Sequence, residues 1–459
     1  MQNNSSLNSN SSSDSSAYQQ SIRFYKWYML IFLWGAFFLN QGDRQLFNNV
    51  LPLIGGDLKL SDIQLGWVCT IFTIVYGIFV PIAGFAGDVI QKKLVVFLSL
   101  LTFSIGTLMT CYIPGSEYLL QFFPGGPKIW FNGVLVCWVL LILVRSIATG
   151  AGEAFYYPAA NSLIAQYHAQ TRATAMAVHQ TANYTGVVFG GTLSAMIAYN
   201  YGWRMAFYSF GMLGIGWALV ILFLFRNDRE DLVHQEVNAG HKGNDSVSLI
   251  PCLLAILSRP TFYLLALAFG GMCFVNVGFL TWMPKYLIEH FHIDGKYAGF
   301  YATGWHHLLA YISVFAAAIL SDVLSKKVKT IRIWMEFIGL FFGAPFIWWM
   351  GASENLTLVC VALSGFGLFR GIYDSNLFAA MFDVIEPKYR ATATGLMMSF
   401  AFIIGSFSPV VLAYAAESMN GYGPGLSSLW IVYTVSGILV LLAILCFYKR
   451  DREAAERDL

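Results

Sequence analysis

Twelve stretches of mostly apolar residues run along this chain. Each is about 20 residues long, the length of a helix that crosses the hydrocarbon core of a bilayer. They begin near Lys26, Gln64, Leu94, Phe131, Arg172, Trp203, Thr261, Tyr297, Ile331, Thr357, Arg390 and Ser427. The sixth and seventh are separated by a strongly charged segment, roughly Arg226 to Ser248, which ends in an apolar run suited to lying on a membrane surface. The pattern predicts an all-α integral membrane protein divided six plus six. The expected units are a disordered polar tail at 1–24, a first half at 25–225, a linker at 226–258, a second half at 259–448 and a short tail at 449–459.

The halves repeat one another. Gly87-Asp88-Val89-Ile90-Gln91-Lys92-Lys93 leaves one apolar stretch, and Ser321-Asp322-Val323-Leu324-Ser325-Lys326-Lys327 leaves another about half the chain later. Arg172-Ala173-Thr174-Ala175 and Arg390-Ala391-Thr392-Ala393 each open a new stretch. Matched segments at such separation mark an internal duplication. Two homologous halves in a membrane are the usual build of a carrier that rocks around a central site.

Composition supports the membrane class: 459 residues, 57% hydrophobic, 11% charged, where soluble domains carry about a quarter charged. A net charge of +2 indicates neither nucleic acid nor an acidic partner. The seven cysteines lie in or beside apolar stretches without paired spacing, so they read as packing residues, not as disulfides or metal ligands. The Ser/Asn-rich start has neither the basic end nor the apolar core of a signal peptide. Asn10-Ser11-Ser12 fits a glycosylation sequon but falls on the wrong side of the expected topology. Most Lys and Arg fall in segments that share one side of the membrane, which predicts cytoplasmic termini.

Three basic residues, Arg44, Arg145 and Arg370, fall inside spans instead. A charge near the bilayer centre costs at least about 2.5 kcal/mol, so it persists when paired or when lining a water-filled path. Asp43 adjoins Arg44, Glu153 shares the fourth span with Arg145, and Asp374 follows Arg370 by one helical turn. For Arg370 and Asp374 a purely local ion pair is an equal reading.

At these residues the chain begins to resemble a known family. The twelve spans and the doubled Asp-x-x-x-Lys-Lys loops, with Gly84 before Asp88, resemble the major facilitator superfamily. Within it, several segments resemble the anion:cation symporters, carriers of hexuronates, other sugar acids and sialic acid. They are Asn40-x-x-Asp43-Arg44-Gln45, Gly152-Glu153-Ala154 with Tyr157-Pro158-Ala159-Ala160, Arg172-Ala173-x-Ala175, Gly202-Trp203-Arg204-x-Ala206-Phe207 and Trp282-x-Pro284-Lys285-Tyr286-Leu287. The matches span most of the chain in the family's order.

The resemblance implies roles. Arg44 would anchor a substrate carboxylate, and Asp43 and Glu153 would carry protons, with Asp374 a further candidate. Arg145, Tyr157, His179, Asn183, Asn276, Arg370 and Asn376 are expected to line the substrate path. Asp88, Lys92, Asp322 and Lys326 are expected to gate it by pairing across the halves. Arg145 precedes Glu153 by eight residues, where the family's spacing is seven. The extra residue turns it by about 80°. A bulge near Thr149-Gly150 would restore the register; otherwise Arg145 faces elsewhere. Gln41-Gly42 replaces an apolar pair and is expected to loosen the first helix. Of His306-His307, at most one should face a cavity.

The expected protein is a proton-coupled importer of a monocarboxylate sugar acid, such as a hexuronate, an aldonate or a sialic acid, working by alternating access. It would act as a monomer in a bacterial inner membrane, driven by the proton gradient with no cofactor and no metal. Its partners would be the lipid bilayer and a small organic anion. A Spinster-like carrier of lipids or amphiphiles remains open, since Gly150-Ala151-Gly152-Glu153-Ala154 suits it equally. An organophosphate antiporter ranks lower, because the seventh span offers only Lys285 near its end. A non-transporting sensor has no need of Asp43, Arg44 and Glu153. An enzyme is not indicated: the chain shows no phosphate loop, metal cluster or nucleophile arrangement.

Overall fold

A computed structural model describes residues 5–115, 133–168, 171–225, 249–386 and 389–457, with side chains from Phe24 onward except at 87–89, 133–134, 173, 249–252, 391 and 456. The elements are helical. The first half comprises α1 (Ser5–Leu58), α2 (Asp62–Val89), α3 (Lys92–Thr110), α4 (Gly133–Leu141), α5 (Thr149–Tyr167), α6 (Arg172–Thr185), α7 (Gly191–Tyr201) and α8 (Trp203–Leu224). After α9 (Leu249–Leu257), the second half comprises α10 (Pro260–Phe291), α11 (Gly295–Ser325), α12 (Ile331–Ala352), α13 (Leu356–Phe382), α14 (Arg390–Ser406), α15 (Ser408–Ser418) and α16 (Tyr422–Cys446), followed by α17 (Tyr448–Arg457). The fourth, fifth and eleventh spans are each built of two α-helices: α4 with α5, α6 with α7, and α14 with α15. Among the described residues this gives twelve crossings, and the start of α1 and the end of α16 share one face, here the terminal face.

Among the described residues, ten helices are long and apolar enough to cross a membrane. The first and fifth spans are not among them, because Asn40, Gln41, Asp43, Arg44 and Gln45 interrupt α1 and His179, Gln180 and Asn183 interrupt α6. The residues that lower hydropathy there lie at or beside the centre of the molecule.

The turns obey local chemistry. Ser61 and Gln64 close a capping box at the start of α2. Pro260 opens α10 at a position where no N–H is needed. Asn355 caps α13 by accepting from Thr357 N at 2.8 Å and Leu358 N at 3.3 Å. Gly202 turns the fifth span into the sixth with φ +93°, a conformation that L side chains resist. On the terminal face, His168 follows α5 with Nε2 3.0 Å from Lys26 O and Nδ1 2.9 Å from Thr171 Oγ1. Burial lowers its pKa from the ordinary imidazole value, which keeps the ring neutral at pH 7.

Three expectations need correction. The polar start is helical from Ser5, not a coil: residues added to the existing α1 need no new nucleus. Gly42 does not loosen α1. A Cβ on it would lie 3.2 Å from Gly190 Cα, so the glycine lets α1 and the fifth span cross backbone to backbone. In this state, which is closed at the opposite face, the doubled loops do not bridge the halves through Asp322: its side chain is 76% exposed, 3.6 Å from Arg332 of α12 in its own half. Lys326 is exposed at the end of α11, and Lys92 is half-buried at the start of α3. The Asp88 side chain and the linker at 226–248 lie outside the described residues.

The halves meet firmly at the face opposite the termini. Lys285 of α10 forms an ion pair with Asp62 of α2, and Tyr422 Oη of α16 donates to the same carboxylate at 2.7 Å. The Tyr422 ring stacks on Trp282 at 4.7 Å. Asn49 of α1 lies against Gly299 of α11, and Gly66 of α2 against Pro409 and Val410 of α15. This state is closed at that far face.

Candidate functional site

Most of the polar residues of the first and fifth spans, Asn40, Gln41, Arg44, Gln45, Gln180 and Asn183, converge on a central cavity of about 510 Å³ between the halves. That size falls within the range of small-molecule sites. The wall comes from both halves: Arg44, Arg145, Tyr157 and Asn183 from the first, and Asn276, Arg370 and Asp374 from the second.

Its charges are matched one to one. Arg145 pairs with Asp43, and its Nη2 also donates to Asp43 O at 3.0 Å. Thr107 Oγ1 donates to the other Asp43 oxygen at 2.7 Å. Both side chains are 2–3% exposed, so this pair is sealed. Arg44 Nε donates to Glu153 Oε2, while Arg44 Nη2 and Glu153 Oε1 find no partner. The Glu153 side chain is fully covered, whereas Arg44 keeps 21% of its side chain exposed. The Arg44 guanidinium lies 4.1 Å from the Tyr76 ring centroid and 5.6 Å from that of Phe72. Across the cavity, Arg370 Nε donates to Asp374 Oδ2 at 3.1 Å and Nη1 donates to Asn276 Oδ1. Arg370 is 15% exposed.

Sequence proximity misleads about these partners. Asp43 pairs with Arg145 rather than with its neighbour Arg44, and Glu153 pairs with Arg44. The fourth span allows this because residues Ile142–Ala148 form a π-helical turn between α4 and α5. The turn absorbs the extra residue between Arg145 and Glu153, one turn earlier than expected, and brings Arg145 to the wall.

Two expected wall residues lie elsewhere. His179 is 1% exposed, stacks on Phe37 at 4.8 Å and sits 3.1 Å from Tyr156 Oη. Phe37 of α1 covers it, and Gln180 reaches the cavity instead. Asn376 is 1% exposed and accepts from Ser321 Oγ at 2.6 Å. It follows Asp374 by two residues, about 200° around the helix, so it faces α11. His306 and His307 both reach the wall, against the expectation of one. His306 packs on Phe279 and Phe366, and His307 Nδ1 lies 2.9 Å from Thr303 O.

Sequence reading missed Phe72 and Tyr76, the rings beneath Arg44. At four-residue spacing in an apolar span they look like packing. It also missed the amides Asn40, Gln41, Gln45 and Asn48 that line the first-half wall, although their density in one span was the available signal. With amide walls and aromatic faces beside its matched charges, the cavity is suited to a small polar solute. Among the described residues, no group of His, Cys, Asp or Glu is arranged to hold a metal ion.

Comparison with known proteins agrees with the fold. The model of the Major Facilitator Superfamily matches residues 33–409. A hexuronate transporter of Bacillus subtilis is 25% identical over 403 residues, covering 86% of this chain and 89% of the relative. A probable sulfoacetate transporter of Cupriavidus necator is 25% identical over 403 residues, covering 84% and 86%. A probable galactarate/D-glucarate transporter of Bacillus subtilis is 23% identical over 420 residues, covering 86% and 87%. Among solved structures, a bacterial homologue of the human lysosomal transporter Spinster, inward-facing and unoccupied, superposes with a TM-score of 0.71 at 19% identity, covering 95% of this chain and 98% of the other.

Proposed function

Because the chain belongs to the Major Facilitator Superfamily, a family of multi-pass membrane transporters, we propose that it moves a carboxylate-bearing sugar acid together with protons by alternating access. Its termini would be cytoplasmic, in a bacterial inner membrane. The Arg44–Glu153 pair at the cavity wall carries this reading.

The mechanism follows from charge matching. Each buried arginine already has one carboxylate, so an incoming anion cannot simply add to the site. A substrate carboxylate that takes the Arg44 guanidinium displaces Glu153, whose side chain has no water contact. A carboxylate left buried without its cation is too costly to stay charged and takes up a proton. Anion binding and proton binding thus favour each other, and the loaded cavity returns to neutrality. The amides of α1 and α6 supply donors and acceptors for sugar hydroxyls. Asp43 and Arg145 hold the first and fourth spans together behind the site. In this reading, opening of the far face breaks the Lys285–Asp62 pair and exposes the cavity to the other side.

The sugar-acid relatives support the substrate class, and the amide-lined wall suits a polyol better than an acyl chain. The test is uptake by the full-length protein in proteoliposomes, across hexuronates, aldonates, sialic acid and a lysolipid. Saturable uptake of a sugar acid is expected. Uptake of the lysolipid with none of the acids would replace the reading with an amphiphile carrier.

A further inference from the structure

The cavity holds a second arginine pair that the transport of one carboxylate does not use. Three arginines reach the wall, and they are not equivalent. Arg145 is sealed: Asp43 takes its guanidinium through both carboxylate and backbone, and 3% of its side chain is exposed. Arg44 and Arg370 remain open to the cavity at 21% and 15%. They belong to opposite halves, Arg44 to α1 and Arg370 to α13, so they face one cavity from two walls. Each is balanced by one carboxylate, Glu153 or Asp374, and polar amides, Gln45 and Asn276 among them, line the same cavity.

From this arrangement we infer that the substrate is a dianion: a polyol chain with an acidic group at each end, one held by Arg44 and the other by Arg370. The inference rests on the sugar-acid reading above and narrows it. A monocarboxylate would engage Arg44 and leave Arg370–Asp374 as an idle ion pair in the wall. An idle pair costs desolvation at each charge and contributes little that an apolar pair would not. A second acid group would take the Arg370 guanidinium as the first takes that of Arg44, and would displace Asp374, which is 25% exposed, lines the cavity and stays solvated there. Asn276 holds Nη1 of Arg370, which orients the guanidinium as a fork for a planar acid.

The discriminating experiment compares a six-carbon aldonate with its aldarate, which differ in one terminal carboxylate, in proteoliposomes containing the full-length protein. The expected result is a KM for the aldarate lower by roughly tenfold or more, the order that a hydrogen bond to a charged group supplies. In Arg370→Gln that ratio should collapse to about twofold or less, whatever the absolute rate. Arg370→Lys keeps the charge without the fork and should narrow the ratio partway, which serves if Arg370→Gln does not yield folded protein. Equal KM values in the wild type overturn the inference while leaving the sugar-acid reading intact. A ratio unchanged by Arg370→Gln also overturns it. Transport of neither acid, with transport of another solute class, removes both.

Discussion

Replacing Arg44 by lysine tests the site most finely, because it keeps the charge and removes the geometry. Arg44 spends its Nε on Glu153 and leaves Nη2 without a partner. A substrate carboxylate would displace Glu153 and take Nε together with Nη2 as a bidentate fork. Lysine can still pair with Glu153, so the fold keeps its balanced charge, but it offers no fork. The loss is about one hydrogen bond to a charged group, 1.5–3 kcal/mol. At about 1.4 kcal/mol per decade that corresponds to a ten- to hundredfold rise in KM. The stacking on Tyr76 at 4.1 Å adds about 0.5–2 kcal/mol, which an ammonium retains in part. The assay is initial uptake rate against substrate concentration in proteoliposomes, normalised to the amount of folded protein. A KM within threefold of wild type would show that Arg44 does not hold the substrate, and the displacement mechanism would fall with it.

Other residues make separable predictions. Glu153→Gln should allow exchange of internal for external substrate but stop accumulation driven by a pH gradient; accumulation that persists removes Glu153 from coupling. Arg145→Met should destabilise the protein by about 3–5 kcal/mol because it strands the buried Asp43, and Asp43→Asn/Arg145→Met should recover most of that loss. Thermal unfolding of the detergent-purified proteins reads the difference, and equal losses in the single and double variants would mean that the two charges are not coupled. Lys285→Ala should loosen the far face and speed reaction of the cavity cysteines Cys69 and Cys273 with an impermeant maleimide applied from that side, as read by peptide mass spectrometry. Unchanged labelling would show that the Lys285–Asp62 pair does not hold that face shut.

Much of the architecture was legible because spans are written in long apolar runs and the halves in repeated loops. The charged residues were legible for a related reason: Arg44, Arg145 and Arg370 stand out against apolar surroundings that make them costly. Their pairing was not. Asp43 and Arg44 are neighbours, but adjacent residues on a helix point about 100° apart, and each found its partner on the fourth span. That cross-pairing depends on the π turn at Ile142–Ala148, which the eight-residue spacing hinted at without locating. His179 shares a helix face with Asn183, yet only Asn183 reaches the cavity, because Phe37 from another helix intervenes. Such cover is a tertiary fact with no local signature. Asn376 could have been excluded from sequence, since two residues after Asp374 puts it on the opposite face. Phe72 and Tyr76 could not have been found, because aromatic residues one turn apart in a span are ordinary packing until an arginine lies over them.

The central claim is that an organic anion at Arg44 displaces Glu153 and brings a proton with it. The measurement that tests it most directly is external pH in a weakly buffered suspension of proteoliposomes, recorded as a sugar acid is added to the wild-type protein and to Glu153→Gln. The account predicts alkalinisation that follows uptake of the acid in the wild type and is absent, with exchange preserved, in Glu153→Gln. Uptake of the acid without proton movement, or proton movement unchanged in Glu153→Gln, would contradict it.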